Sequence, residues 1–355
     1  MNKIATLTFQ NADNYGAILQ CYALQKAIEK LGYESMVLNY NCEYLSKPWS
    51  IAAFRRKGLV RYILGNINAL LRQMRRKEFS TFRKMIKMTK LIKKSELSKI
   101  NNEFEKFVVG SDQVWNYDLT DMDTTYLLDF VTDNNKKCSY AASFGVKKLP
   151  SKYEKNYQRL LKQFAYISVR EESASQLMDE LVGVSCDVVI DPTLLLSAEE
   201  WGKVAITPKL KEKYIFLYQA SASKKLLSFA KKLQKKTGLK IVTAPFPMGY
   251  PGKFTADIKC GPQRWLGYIK NAEYIVTDSF HGTVFSIIFE KQLFICLNDY
   301  STRIINLLNT MDKNECLVTE DTEIEIIKRI DYLKTKQKVL DERTKSISVL
   351  RNMIS

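Results

Sequence analysis

The sequence predicts an α/β protein built as two parallel-sheet units. Short apolar strands alternate with amphipathic helices along most of the chain, the pattern of a parallel sheet. Most of those strands run into a polar or small-residue loop, and ligands of parallel sheets bind beyond the carboxyl ends of the strands. The 355 residues exceed the roughly 150 that one domain usually holds.

The first unit is expected over 1–196. Lys3–Phe9 reads as a strand, Gln10–Gly16 as a polar loop, Ala17–Leu31 as a helix closed by Gly32, and Ser35–Asn39 as the next strand. Phe107–Val109 runs into Gly110-Ser-Asp-Gln, Cys138–Ala142 into Ser143-Phe144-Gly145, Ala165–Val169 into Arg170-Glu-Glu, and Val188–Ile190 into Asp191-Pro192. A second unit is expected over 197–325. It has strands at Tyr214–Tyr218, Lys240–Thr243, Tyr274–Thr277 and Leu293–Leu297, and helices at Lys224–Lys236, Pro262–Ile269 and Thr283–Phe289. The tail, 326–355, reads as helix that packs back on the first unit.

Composition excludes several classes. Glycine (14) and proline (8) are too few for a collagen-like or low-complexity chain. No apolar run approaches the ~20 residues of a membrane span. The N-terminus turns polar after Phe9, unlike a signal peptide. The seven cysteines form no CxxC pair and read as reduced thiols, which predicts a cytoplasmic protein without a zinc site. A single histidine, His281, leaves no multi-histidine metal site, so no metal or cofactor is expected.

Charge is uneven. The chain carries +17, and residues 51–100 hold 15 Lys/Arg against Glu78 and Glu96. Thus 52–97 reads as a basic helical insertion in the first unit, with apolar residues such as Leu59, Ile63, Ile67 and Leu70 at helical spacing. Such a pattern suits the anionic inner face of a membrane; a solvated face is the plainer alternative. No zinc finger, RNP motif or basic zipper accompanies it, so no nucleic-acid partner is expected.

Three groups are placed for chemistry. His281 sits in a small-residue turn from strand to helix, with Ser279 before it and Gly282 and Thr283 after it. Free N–H groups and the helix dipole there favour an anion, and histidine suits proton transfer near neutral pH; a helix-capping role is the alternative. Arg170, at a strand end, has a fork that suits carboxylate or phosphate, unless Glu171 and Glu172 occupy it. Asp112, in Gly110-Ser111-Asp112-Gln113, is a candidate base or a turn residue. The first loop, with Asn11, Asp13, Asn14, Tyr15 and Gly16, either bonds ligand hydroxyls or caps its helix. It lacks G-x-G-x-x-G, and the chain has no Walker A motif.

The segments TFQNADNYGAILQCYALQKAIEKLGYE, FVVGSDQVWN, SYAASFG, ISVREES, DVVIDPTLLL and YIVTDSFHGTVFSIIFEK together resemble the polysaccharide pyruvyl transferase family, over about residues 4–303. The resemblance implies a GT-B-like fold of two Rossmann-like domains facing a cleft. It also implies transfer of the enolpyruvyl unit of phosphoenolpyruvate to a sugar of a cell-wall or capsular polysaccharide, or its lipid-linked precursor. The product is then a pyruvate ketal, with phosphate released. Carried over by position, the catalytic group is His281, Arg170 and Asp112. Arg170, Ser279, His281, Gly282, Thr283 and Arg303 hold the donor. Asn11, Asp13, Asn14, Tyr15, Gly16, Ser111, Gln113, Ser143 and Phe144 hold the acceptor. Some members have an arginine where this chain has Ser279, so a cation from elsewhere, such as Arg303, is expected. A nucleotide-sugar glycosyltransferase and a non-catalytic glycan-assembly protein are the alternative functions.

Overall fold

The computed structural model describes residues 2–42, 44, 73–221, 223–244, 254–297, 302–319, 321–324 and 329–355. The chain groups into two units. The first comprises Met1–Pro48, Arg83–Leu196 and Leu340–Ser355, the second Trp49–Phe82 and Ser197–Val339.

The first unit holds a six-stranded parallel sheet, β1 (Lys3–Leu7), β2 (Glu34–Val37), β3 (Lys106–Val109), β4 (Lys137–Ala142), β5 (Tyr166–Val169) and β6 (Asp187–Val188). Its spatial order is β2-β1-β3-β4-β5-β6. The order therefore reverses between β1 and β3, the switch point at which doubly wound sheets open a crevice. Helix α1 (Tyr15–Lys30) links β1 to β2 and buries Ile18, Cys21, Leu24 and Ile28. The core beneath is aliphatic and aromatic, including Leu7, Phe107, Val109, Trp115, Phe144 and Tyr157.

The basic stretch differs from its sequence expectation. Residues 52–72, with the apolar pattern read there, lie outside the described residues. Helix α2 occupies residues 73–83, and 73–82 group with the second unit. The chain is then extended rather than helical: Met88 bridges Val37 and Ile92 bridges Tyr40. Lys94–Ile100 is a 3-10 turn. Backbone demands of the sheet edge at β2 override the helical spacing.

The second unit holds a five-stranded parallel sheet of β7 (Tyr214–Tyr218), β8 (Lys240–Thr243), β9 (Thr255–Ala256), β10 (Tyr274–Thr277) and β11 (Gln292–Ile295). Its order, β11-β10-β7-β8-β9, reverses between β7 and β10. In sequence order its helices are α5 (Ala198–Val204), α6 (Lys224–Thr237), α7 (Pro262–Asn271), α8 (Phe280–Ile288) and α9 (Thr302–Met311); α3 (Ser151–Leu161) and α4 (Glu172–Val182) belong to the first unit. Helix α10 (Leu333–Ile354) ends the chain. From Leu340 onward it groups with the first unit, where the Ser346 hydroxyl accepts from Ile190 N at 3.1 Å and Arg343 donates to Leu194 O at 2.7 Å. No helix of the described residues is long and apolar enough to cross a membrane.

Candidate functional site

In the first unit the polar strand ends converge on Arg170. Its side chain is only 3% exposed, and its guanidinium stands 3.0 Å from Asp191, 3.6 Å from Glu171 and 3.9 Å from Asp112. Burial opposes its charge, yet Glu171, Asp191 and Asp112 outweigh burial and hold it protonated. The sequence suggested a fork open to an anionic donor; the structure surrounds that fork with three carboxylates. Asp191 is itself fixed by Thr193, which donates through N and Oγ1 at 3.0 and 2.7 Å. Glu171 accepts from the Ser143 hydroxyl.

Asp112 follows Gly110, whose φ of +118° and close approach to Tyr140 O leave no room for a Cβ. Asp112 itself has φ +77° and Ala141, on the neighbouring strand, φ +49°. Non-glycine residues held in this region cost of order 1–3 kcal/mol each, and such strain gathers at functional sites. Around the β1–β3 switch point, Thr8 donates to Ser111 O at 2.9 Å, and Gln20 bonds both Thr8 Oγ1 and Ser111 N. Asp112 Oδ1 accepts from Gln113 N at 2.8 Å and keeps a partly exposed edge.

The expected acceptor residues divide. Ser111, Ser143 and Phe144 are fully buried, and Phe144 packs on Trp115 with ring centroids 5.2 Å apart. Gln113 is bonded by Asn116 at 2.8 Å. Asn14 caps α1, accepting from Ala17 N, while Tyr15 and Gly16 are buried in its first turn. Asp13 pairs with Arg83 at 2.7 Å, and Arg83 also donates to the carbonyls of Gln10, Asn11 and Ala12. Asn11 bonds Asn39 and Tyr40 O and lines a small pocket of about 60 Å³, with Gln10, Tyr40, Asn41 and Tyr126. Arg83 organises this loop, which the sequence left unassigned.

In the second unit the candidates lie at the β7–β10 switch point. Ser279 is the N-cap of α8, its side chain accepting from Gly282 N at 3.3 Å. The helix therefore starts at Phe280 rather than Thr283, and His281 lies in its first turn, 9% exposed. Asp278 ties β10 to the end of β7, accepting from Ala220 N at 2.6 Å and from the Ser221 hydroxyl at 2.7 Å. Thr277 Oγ1 donates to Tyr218 O at 2.7 Å. At Gly282 a Cβ would lie 2.6 Å from Thr277 Oγ1 and 3.1 Å from the Tyr218 ring, so only glycine lets this helix start approach the strand ends so closely. Thr283 donates back to Ser279 O.

Two residues join this group that the motif reading passed over. Phe280 sits edge-on to His281 at 5.1 Å, and the Arg303 guanidinium lies over the Phe280 ring at 5.6 Å. Tyr218 meets the Ser279 side chain; burial and then Asp278 push its phenol up, and Arg75 pulls it down. The result is a helix start capped by Ser279, with a histidine in its first turn and an arginine nearby. It can hold an anion and move a proton. No cluster of metal-ligating side chains occurs among the described residues.

Comparisons with known proteins follow the same lines. A protein named for UDP-N-acetylglucosamine 2-epimerase from Listeria monocytogenes aligns with a TM-score of 0.50 at 11% identity, over 99% of this chain and 90% of that one. A spinosyn rhamnosyltransferase aligns at 0.47 and 9% identity over the whole of both chains. A wall teichoic acid polymerase aligns at 0.43 and 10%, over 99% and 82%. No curated protein matches the chain. The fold class is α/β, with two parallel sheets in a GT-B-like fold. Residues 14–300 match the family model for polysaccharide pyruvyl transferase, and with four fifths of its length inside that match, the chain belongs to the polysaccharide pyruvyl transferase family.

Proposed function

We propose that the protein transfers the enolpyruvyl unit of phosphoenolpyruvate to a sugar of a cell-surface polysaccharide or its lipid-linked precursor. The observation that carries this reading is His281 in the first turn of α8, in a chain of pyruvyl transferase family. Phosphoenolpyruvate carries a phosphate and a carboxylate. The α8 start presents the positive end of a helix dipole to the phosphate, and Arg303 adds charge one ring away.

The bonds balance as follows. A proton adds to C3 of the donor, which makes C2 electrophilic. A sugar hydroxyl oxygen then bonds to C2 and gives up its proton. Phosphate leaves with the C2–O electron pair, a second hydroxyl of the sugar bonds to C2, and its proton leaves with the phosphate. Donor and diol thus become a ketal and inorganic phosphate. His281 supplies the C3 proton or steadies the leaving phosphate, and Asp112 accepts the hydroxyl proton. Arg170 is assigned a positioning role, because the carboxylates around it leave little net positive charge for a donor.

The test is phosphate release from phosphoenolpyruvate in the presence of sugar acceptors, including lipid-linked ones. H281A is expected to abolish it while retaining a native melting transition. Turnover by H281A near that of the unaltered chain would remove His281 from the chemistry.

A further inference from the structure

We propose that Arg75, from the basic stretch, is an anion-binding residue of the His281 site and meets the phosphate of the donor. This rests on the reading above. Helix α2 turns one face inward: Phe79 and Phe82 are fully buried, while Arg76 and Lys77 are exposed. Arg75 lies on the inward face, four and seven residues before the two phenylalanines.

The neighbours of that face are set by contact. The Cβ of Glu78, one turn beyond Arg75, stands so close to Gly261 that a Cβ on the glycine would lie 2.5 Å away. Gly261 is the N-cap of α7. Trp265 of α7 packs edge-on against Tyr218 at 5.0 Å, and the Tyr218 ring in turn borders Gly282 of α8. Arg75 thus sits on a helix packed at the start of α7, close enough for its charge to act on Tyr218, whose ring borders the His281 helix at Gly282.

The side chain is held in an unusual state. Nε of Arg75 is closed off from solvent and has no hydrogen-bond partner among the described residues. Burying one N–H of a guanidinium without a partner is costly. Arg170, buried in the first unit, is by contrast given three carboxylates. A bound phosphate would supply what Arg75 lacks, since a guanidinium fork matches phosphate geometry.

The experiment uses the full chain with inorganic phosphate and with phosphoenolpyruvate as probes, measured by calorimetry over a range of salt. Arg75→Met keeps bulk and removes the charge. It should weaken binding of both probes at least tenfold and flatten the salt dependence. It should also melt no lower than the unaltered chain, because a buried N–H without a partner has been removed. Arg75→Lys should recover part of the affinity, and Arg76→Gln, on the exposed face, should bind as the unaltered chain does. Binding by Arg75→Met within twofold of the unaltered chain overturns the proposal, as does a drop in its melting temperature with affinity intact. If the unaltered chain binds phosphate through Arg75 but transfers no pyruvyl group, this inference stands and the proposed reaction falls.

Discussion

Arg170 and Asp191 meet at 3.0 Å where β5 and β6 end, with side chains 3% and 0% exposed. The pair is fastened on both sides, by Glu171 and Asp112 on the arginine and by Thr193 on the aspartate. Breaking a buried pair by deleting one partner leaves the other charge stranded. Arg170→Ala and Asp191→Ala are each expected to cost about 3–5 kcal/mol, read as a lower urea midpoint. This changes what the arginine can report. A loss of turnover in Arg170→Ala is expected together with a loss of fold stability, so a donor-contact role would show only in a variant that melts normally.

Gly282→Ala should be damaging for a different reason. The added methyl would meet Thr277 Oγ1 at 2.6 Å and the Tyr218 ring at 3.1 Å. Overpacking of this kind costs about 1–3 kcal/mol. It would also move the start of α8, so phosphate release should fall more than tenfold. A calorimetric melt alongside a phosphate-release assay checks both.

Asn14 separates capping from ligand binding. Its Oδ1 accepts from Ala17 N, a bond that serine reproduces and alanine does not. Asn14→Ala should lose about 1 kcal/mol and Asn14→Ser almost none. If the residue only caps α1, the acceptor KM of the serine variant should equal that of the unaltered chain.

Asp123 gives a pH prediction. Burial pushes its carboxyl up, but Lys94 at 2.7 Å, the Tyr40 hydroxyl and Thr125 hold it below the ordinary value. A depressed carboxyl contributes stability that is present above the unfolded value, about 3.9, and is lost as the pH falls through the folded one. Urea midpoints of the unaltered chain should therefore drop below about pH 4 more steeply than those of Asp123→Asn. Parallel acid limbs would count against this account.

The parallel sheets were legible because each strand announces its end. Tyr214–Tyr218, Lys240–Thr243 and Tyr274–Thr277 appear in the structure as the periodicity predicts, since apolar runs bounded by polar turns have few other ways to be buried. The start of α8 was missed by three residues. Phe280 and His281 carry no strong helix signal, and the cap at Ser279 declares itself only through its bond to Gly282. The stretch 84–93 was misread as helix because its pairing partners, Val37 and Tyr40, lie about 50 residues away in sequence. The surroundings of Arg170 needed Asp191, 21 residues on, a distance that no local pattern encodes. Arg75 was read as one more charge in a basic run; only the burial of its Nε sets it apart.

The discontinuous make-up of the first unit governs how it comes into being on the ribosome. All six of its strands belong to one parallel sheet, so no neighbouring pair can form as a hairpin, and closure depends on sequence-distant contacts that slow folding. Its sheet also waits for residues made 156 and 215 positions later: Ser346 bonds Ile190, and Met353 O accepts from the Cys138 thiol. Until α10 has been synthesised, the nascent first unit carries Cys138 and its strand without the helix that covers them.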